Sequence, residues 1–252
     1  MKKSGIRCTA VILAAGTGSR MKTDVAKQFL ELEGYPLIYY ALNAVQQSEI
    51  IDECILVTGR DDLERMQREV VDKYRFSKVI AVIEGGSERC YSVACAMRWM
   101  TQRRKTDETE RSYVFIHDGA RPFLTEEILK RTFEAVQEYG ACVAAMPSKD
   151  TVKIADEADF AVQTPERKRV WTVQTPQVFE GELIAGAYAA FEKADTDARE
   201  NAAERVFVTD DASVVELFSD VKVKLVEGAY SNIKVTTPED LVTARALMKS
   251  GQ

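Results

Sequence analysis

Short, nearly continuous apolar runs recur along the chain and alternate with segments of helical periodicity. The runs are Cys8–Leu13, Cys54–Thr58, Val79–Ile83, Tyr113–His117 and Ala141–Met146. Strands that are buried on both faces of a parallel sheet have this pattern, because helices cover both faces. Strands that alternate with helices form right-handed βαβ units. The sequence therefore predicts an α/β fold, a three-layer sandwich around a mostly parallel sheet.

Several helices can be located between and after these runs. Apolar residues repeat at helical spacing in two segments, Leu63–Tyr74 and Val93–Met100. Two other helices are predicted to begin after Thr125 and Thr237, since a threonine that can cap is followed by acidic residues in the first turn. Pro238 strengthens the second start, because proline is favoured at the first helical position.

The stretch Ser148–Thr175 breaks the alternation. Two short β-rich segments, Thr151–Ile154 and Val170–Gln174, flank a polar turn with Asp156 and Glu157. This pattern predicts a β-hairpin that projects from the domain. An isolated hairpin is marginally stable in water, so we expect it to pack on a partner subunit. We therefore predict one domain over residues 1–252, with residues 148–175 as a projecting β-hairpin arm for dimerisation.

Composition narrows the classes of function. The chain has 252 residues with 34 Lys and Arg against 40 Asp and Glu, a net charge of −6, which disfavours nucleic acid as a partner. Five cysteines without a C-x-x-C pair are typical of a reduced cytoplasmic protein. The first apolar run is too short for a signal peptide, and no stretch approaches the roughly twenty apolar residues of a membrane span. Two charged stretches, Arg103–Arg111 and Asp195–Arg205, are predicted to be solvated surface connections.

The segment after the first apolar run is the first candidate binding site. It reads Ala14-Ala15-Gly16-Thr17-Gly18-Ser19-Arg20-Met21. Small residues and glycines let backbone N–H groups approach an anion closely. Met21 replaces the third glycine of a dinucleotide-binding fingerprint, and no Gly-Lys-Ser/Thr completes a P-loop. A glycine turn without a ligand remains an alternative at this point.

Two nearby cations favour a nucleoside triphosphate. Arg20 and Lys27 lie within eleven residues of Gly16. A guanidinium fork and an ammonium group are suited to binding phosphates and to stabilising charge that develops on them. The competing interpretation is a pair of solvated surface cations.

Seven motifs in order carry a resemblance to a known family. They are Ala14-Ala15-Gly16-x-Gly18-x-Arg20-Met21 with Lys27-Gln28-Phe29-Leu30; Gly85-Gly86-x-Glu88-Arg89-x-x-Ser92-Val93; His117-Asp118-Gly119-Ala120-Arg121-Pro122; Asp150-Thr151-x-Lys153; Arg167 before Trp171 with Thr175-Pro176-Gln177; Thr209-Asp210; and Asn232-Ile233-Lys234-Val235-Thr236. Over Cys8–Met248, this series resembles the 2-C-methyl-D-erythritol 4-phosphate cytidylyltransferases of the non-mevalonate isoprenoid pathway.

The resemblance implies a Rossmann-like sandwich of the nucleotidyltransferase type and a homodimer that exchanges its arms. It implies that CTP and 2-C-methyl-D-erythritol 4-phosphate give 4-CDP-2-C-methyl-D-erythritol and pyrophosphate, with Mg²⁺. The nucleophile would be a phosphate that is already an anion, so catalysis could rest on positioning and charge stabilisation without a general base. His117, the only histidine, is accordingly interpreted as a packing residue.

The resemblance also implies roles for individual residues. The catalytic cations would be Arg20 and Lys27, on the transition-state charge, and Arg167 and Lys234, on the attacking phosphate. Residues for the nucleotide would be Ala14, Ala15, Gly16, Gly85, Gly86, Ser92, Asp118 and Gly119. The polyol would contact Arg121, Thr209 and, from a neighbouring subunit, Thr151. Asp118 is the candidate magnesium ligand; otherwise the metal would be held by the CTP phosphates and water.

Three alternatives remain open at this stage. A ribitol 5-phosphate cytidylyltransferase would have the same fold and chemistry with a different polyol. An NAD-dependent oxidoreductase is disfavoured by the missing third glycine. A non-catalytic nucleotide-binding regulatory subunit would not need Arg20, Lys27, Arg167 and Lys234 together. The family commonly has a polar or acidic residue before the serine of the second motif, whereas Tyr91 precedes Ser92 here, which leaves the contacts to the base open.

Overall fold

A seven-stranded, mostly parallel sheet forms the centre of the computed structural model, which describes residues 5–16, 26–103, 111–201 and 203–250. Its strands are β1 (Ile6–Ala14), β4 (Glu53–Thr58), β5 (Val79–Glu84), β6 (Arg111–Asp118), β7 (Ala141–Pro147), β10 (Trp171–Glu180) and β11 (Lys224–Glu227). Two small pairs lie outside it: β2 (Glu31–Leu32) with β3 (Tyr35–Pro36), and β8 (Ile154–Ala155) with β9 (Ala161–Gln163). The five predicted apolar runs are all strands of the central sheet, and the predicted fold class is confirmed.

The strand order is β11-β7-β10-β6-β1-β4-β5, and β10 alone runs antiparallel to both of its neighbours. From β1 the chain first builds outward through β4 and β5. It then returns to place β6 on the other side of β1. Open α/β sheets bind ligands at such a reversal, outside the carboxyl ends of the two strands. The topology therefore puts a crevice at the ends of β1 and β6.

Helices cover both faces of the sheet. They are α1 (Leu37–Gln47), α2 (Leu63–Met66), α3 (Arg89–Arg103), α4 (Glu126–Tyr139), α5 (Gly181–Glu200), α6 (Asp211–Phe218) and α7 (Pro238–Lys249). Side chains of β1 alternate between two hydrophobic clusters: Ile12 packs with residues of α1 and α4, and Val11 with residues of α3 and α5. Burial on both faces explains why the strand sequences are continuously apolar.

The helix starts agree with the capping signals in the sequence. Thr125 Oγ1 accepts a hydrogen bond from the Ile128 N–H at 3.3 Å, one turn into α4. Thr237 caps α7 in the same way, and Asp240 completes a capping box. The predicted helix over Leu63–Tyr74 is present, but it widens to a π-helix over Gln67–Asp72. Apolar spacing alone does not distinguish the two kinds of turn.

The arm differs from its prediction. Val170–Gln174 was expected to pair with Thr151–Ile154, but Trp171 pairs with Pro147 of β7 in the central sheet. The hairpin that projects is smaller, with Ile154 opposite Gln163. Val170–Gln174 joins the central sheet because it continues into β10, which is buried over Gln174–Phe179. The pairing of β10 with β7 extends back to Trp171. Dimerisation through this segment stays a prediction.

The stretch Asp195–Arg205 is only in part the solvated connection that was predicted: most of its described residues are exposed, but its first half is helical and Asp195 is buried. α5 runs through Asp195 to Glu200, and Asp195 is only 4% exposed. Its carboxylate accepts hydrogen bonds from the Tyr91 hydroxyl at 2.7 Å and from Arg205 Nε at 3.0 Å. A distant partner, Tyr91, thus helps to bury a group whose local sequence looks exposed. The other charged stretch, Arg103–Arg111, lies outside the described residues over 104–110.

The cysteines agree with a reduced protein. All five are free thiols, and Cys8, Cys54 and Cys142 are buried in the core. Within the described residues, no helix has the length and apolarity needed to cross a membrane.

Candidate active site

The predicted nucleotide residues meet at the crevice beside β1 and β6. Ala15 and Gly16 follow β1, and Asp118 ends β6. Leu13 is paired with Asp118 across the two strands, which fixes the first loop beside the carboxylate. One cleft of about 260 Å³ opens here. The predicted residues that line it are Ala14, Ala15, Gly16, Lys27, Gly86, Ser92, Asp118, Gly119 and Lys234.

The Gly85-Gly86 turn packs against the first loop with no space for side chains. A Cβ atom on Gly85 would lie 2.7 Å from Ser92 Oγ and 2.8 Å from the Ala15 Cβ. Ser92 lies inside α3, where its hydroxyl accepts a hydrogen bond from the Gly86 N–H and donates one to the Glu88 carbonyl, both at 3.1 Å. Ser92 therefore fixes the turn that forms the cleft wall.

Asp118 is surrounded by three cations. Arg89 Nε donates to its Oδ1 at 3.1 Å, while Lys234 Nζ lies 2.8 Å and Arg121 Nε 3.6 Å from its Oδ2. Burial alone would raise the pKa of Asp118, but these cations outweigh it and hold the pKa well below its usual range. The carboxylate is therefore ionised at neutral pH, and it holds Lys234 at the centre of the site.

The same geometry tests Asp118 as a magnesium ligand. Both of its oxygens already face cations, so a metal ion bound there would displace Lys234 and lie beside two guanidinium groups. Among the described residues, no group of three or more His, Cys, Asp or Glu side chains could hold a metal ion. Direct coordination of Mg²⁺ by Asp118 does not fit this arrangement.

His117 lies behind Asp118 in a buried hydrogen-bond chain. The Asp118 N–H donates to Thr175 Oγ1 at 3.1 Å. The neutral ring carries its proton on Nε2, which faces a carbonyl, so Nδ1 accepts a hydrogen bond from the Thr175 hydroxyl at 3.0 Å. His117 Nε2 then donates to the Arg121 carbonyl at 3.2 Å. Burial lowers the pKa of His117 to about 4, which keeps the ring neutral at pH 7. The interpretation of His117 as a packing residue is confirmed.

A second cleft of about 320 Å³ adjoins the first. The two share Arg89, Asp118 and Lys234 as lining residues. The second cleft adds Arg121 and Thr209, for which the family resemblance implies contacts to the polyol. Arg121 is held in place by a hydrogen bond from its Nη1 to the Asn232 carbonyl at 2.8 Å. Two pockets thus meet at one group of charges.

Of the predicted residues that the structure describes, Gly85, Thr151 and Arg167 line neither cleft. Thr151 and Arg167 lie exposed on the segment between β7 and β10, and neither lines a cleft. Arg167 Nη1 lies 3.5 Å from the Lys149 carbonyl. Arg20 lies outside the described residues.

One residue of the site was missed. Arg89 was noted only as a letter of the second motif, yet it contacts Asp118 and lines both clefts. The role of this partly buried arginine cannot be inferred from the local sequence, because the carboxylates that pair with it come from other elements. The available signal was its position three residues after Gly86, in the same motif as Ser92.

Paired clefts that share cations at the carboxyl edge of a doubly wound sheet suit the joining of a nucleotide to a second phosphate compound. The fold and site are those of a nucleotidyltransferase.

Comparisons with known proteins identify the family. Residues 8–250 match the family described as 2-C-methyl-D-erythritol 4-phosphate cytidylyltransferase. A relative of that name from Lachnospira eligens is 43% identical over 242 residues, which cover 96% of this chain and 99% of that protein. Another from Caldanaerobacter subterraneus is 40% identical, with 96% and 98% covered. The chain therefore belongs to the 2-C-methyl-D-erythritol 4-phosphate cytidylyltransferase family, as the resemblance predicted.

Solved structures agree. The crystal structure of 4-diphosphocytidyl-2C-methyl-D-erythritol synthase from Anaerococcus prevotii superposes with a TM-score of 0.77 at 34% identity, and 97% of each chain is covered. A 2-C-methyl-D-erythritol 4-phosphate cytidylyltransferase from Thermus thermophilus gives a TM-score of 0.69 at 28% identity, with 96% of this chain and 99% of that chain covered.

Proposed function

We propose that the protein transfers CMP from CTP to 2-C-methyl-D-erythritol 4-phosphate in isoprenoid precursor biosynthesis. A phosphate oxygen of the polyol forms a bond to the α-phosphorus of CTP. The bond between that phosphorus and the α–β bridging oxygen breaks, and pyrophosphate leaves with the bonding electrons. The product is 4-CDP-2-C-methyl-D-erythritol. The names of the relatives support this assignment.

The observation that carries the proposal is Lys234 on the boundary between the two clefts. Its ammonium group lies 2.8 Å from Asp118 Oδ2, and both residues line both clefts. A cation in that position can attract the attacking phosphate and hold it against the α-phosphorus. Since the nucleophile is an anion, no general base is required, and the neutral His117 is left out of the chemistry.

Charge stabilisation would come from the first loop and from Lys27. Backbone N–H groups after β1 can approach a triphosphate closely, because Ala14, Ala15 and Gly16 are small. Lys27 lines the same cleft, and we assign it to the negative charge that grows on the leaving pyrophosphate. We propose the same role for Arg20, because it belongs to the first motif of the family resemblance together with Lys27.

We infer that Mg²⁺ enters with CTP, bound by phosphate oxygens and water. Magnesium in nucleotide sites commonly keeps several waters and needs few protein ligands. An ion bound in this way would neutralise phosphate charge, and Asp118 would remain the partner of Lys234.

A homodimer would complete the polyol site. The arm carries Phe160 and Val162, which are 71% and 63% exposed, so it has apolar surface without a partner in its own chain's core. If the arms are exchanged, Thr151 of the partner subunit and Arg167 of the partner subunit can enter the second cleft. The proposal thus comprises one cytoplasmic domain over residues 1–252, with residues 148–175 as the dimerisation arm.

The test is pyrophosphate release with each of four nucleoside triphosphates and with two acceptors, 2-C-methyl-D-erythritol 4-phosphate and ribitol 5-phosphate. We expect turnover with CTP and the methylerythritol compound. Lys234→Ala should abolish most of it, whereas Lys249→Ala, a change of an exposed lysine, should not. Activity with ribitol 5-phosphate alone would replace the proposed acceptor. CTP binding without any turnover would identify a regulatory subunit.

A further inference from the structure

Arg89 joins two carboxylates that come from different elements. Its Nη1 and Nη2 donate to Asp211 Oδ1 and Oδ2 at 2.9 and 2.7 Å, while its Nε donates to Asp118 Oδ1 at 3.1 Å. Asp211 is fully buried and also accepts a hydrogen bond from the Tyr188 hydroxyl at 2.6 Å. A planar guanidinium has the fixed fork of donors that such a bridge requires.

The bridge connects the two halves of the site. Asp118 ends β6 beside the nucleotide cleft, and Asp211 is the first residue of α6. The residues directly before α6 are Thr209 and Asp210, which line the second cleft. Arg89 therefore fixes the distance between the end of β6 and the segment that carries Thr209.

The bridge also determines how strongly Asp118 holds Lys234. In the described site Asp118 shares its charge among Arg89, Arg121 and Lys234. Without Arg89, fewer cations would compensate the same carboxylate, and Lys234 would be bound to it more tightly. The ammonium group of Lys234 would then be less available to a phosphate that enters the second cleft.

We propose that Arg89 is a positioning residue for the polyol phosphate, because it orients Asp118 and the start of α6 and so leaves Lys234 able to bind the phosphate. This inference rests on the proposed function, since it concerns the second substrate of that reaction.

The test must separate positioning from simple neutralisation of Asp211. Arg89→Gln alone leaves a buried carboxylate without its cation, which is strongly destabilising. The double variant Arg89→Gln with Asp211→Asn removes both charges and keeps similar shapes. Asp211→Asn alone and the parent enzyme are the controls, and thermal unfolding of all four proteins is measured beside the KM of each substrate.

We expect the double variant to unfold near the parent temperature and yet to show a KM for the polyol phosphate raised about tenfold or more, with the KM for CTP changed less than about threefold. Asp211→Asn alone weakens one end of the bridge and leaves Arg89 on Asp118, so its KM for the polyol phosphate should lie between those of the parent and the double variant. A double variant with the parent value for the polyol phosphate would show that Arg89 serves only to neutralise Asp211. Equal increases for both substrates would also overturn the proposal.

Arg89→Lys provides a second test that does not depend on the double variant. It keeps the positive charge but cannot span both carboxylates, so the KM for the polyol phosphate should lie between those of the parent and the double variant. A parent-like value in Arg89→Lys would show that charge alone suffices and would overturn the positioning role. Failure of the proposed function gives a different result, namely a parent enzyme that releases no pyrophosphate from these substrates.

Discussion

The carboxyl edge of the sheet and the projecting arm are held in opposite ways. At the sheet edge, the polar groups are buried and joined to one another, as His117, Asp118 and Asp211 illustrate. On the arm, residues 151–164 are all exposed, including the four large apolar side chains of Val152, Ile154, Phe160 and Val162. The first region is built by the chain's own core. The second has too few internal contacts to fix its own position.

The difference indicates that the two regions have different roles. The carboxyl edge of the sheet is preorganised, whereas the arm needs a contact with another surface to become ordered. Preorganised charges stabilise a transition state without reorganising at the moment of reaction. An exposed arm can contribute only after it is ordered by a contact. Changes at the carboxyl edge of the sheet should therefore affect turnover, and changes on the arm should affect assembly and acceptor binding.

The largest expected effect at the carboxyl edge of the sheet is that of Lys27→Ala. Removing one preorganised donor from charge that develops in the transition state lowers kcat by about 10²–10³-fold in other enzymes, and we expect a loss of that order here. CTP affinity, measured by calorimetry, should change far less. Lys130→Ala, an exposed change on α4, is the control. An unchanged kcat would remove Lys27 from the transition state.

The buried chain behind Asp118 should make stability depend on pH. The pKa of His117 is lowered from 6.5 to about 4 in the folded protein, so the unfolded chain binds the proton more readily. The contribution is fully present above pH 6.5 and is lost as pH falls towards 4, by about 3 kcal/mol in the unfolding free energy. Urea unfolding across this range measures it. In His117→Asn the titration of this group disappears, so that variant should lose less stability over the same interval; an identical slope would contradict the assignment.

On the arm, Phe160→Ser should weaken the dimer without weakening the fold. Burial of a phenylalanine contributes about 1.5–3 kcal/mol, so the dissociation constant should rise roughly tenfold or more if the ring packs on a partner. Sedimentation measures the assembly and thermal unfolding the fold. Leu217→Ser is the matched control, since that side chain is 57% exposed elsewhere on the surface. A monomeric parent would refute the dimer itself.

Arg167→Ala tests whether the arm reaches the acceptor. We expect the KM for the polyol phosphate to rise about tenfold, roughly the contribution of one charged hydrogen bond, with little change in the KM for CTP. Arg169→Ala, two residues along the same exposed turn, should leave both values unchanged. Steady-state kinetics with one substrate saturating separates the two effects. Equal behaviour of the two variants would exclude a specific role for Arg167.

The smallest expected effect concerns Tyr91. Its hydroxyl donates to Asp195 and accepts a hydrogen bond from Arg199 at 2.8 Å, and Tyr91 lines neither cleft. Tyr91→Phe should reduce stability by about 1 kcal/mol, the usual value of one hydrogen bond. The preference for CTP over UTP should not change. A loss of that preference would give Tyr91 a part in base recognition.

Local signals in the sequence predicted much of the framework. Continuous apolar runs identified the five strands, because burial on both faces leaves no polar alternation. Thr125 and Thr237 identified helix starts, because capping depends on residues only three positions apart. The order of the motifs identified the family.

Contacts between distant residues were harder to predict. Arg89 and Asp211 are separated by 122 positions, and the sequence around each residue gives no signal that identifies the other as its partner. The burial of Asp195 depends in the same way on Tyr91, and the pairing of Trp171 depends on β7. In each case a local pattern suggested an exposed or separate segment, and a long-range contact incorporated it into the core.

The junction at the base of the arm has a consequence for how this enzyme can diversify. Pro147 and Trp171 are paired in the sheet, and the Ser148 N–H donates to the Val170 carbonyl at 2.9 Å, so both ends of the intervening segment are anchored side by side. The segment can therefore be lengthened, shortened or exchanged without shifting the strands that carry the reacting groups. If the arm carries the dimer contact as proposed, sequence changes between these two anchors can alter assembly and the contacts of Thr151 and Arg167, while the strand that ends at Asp118 keeps its place in the sheet.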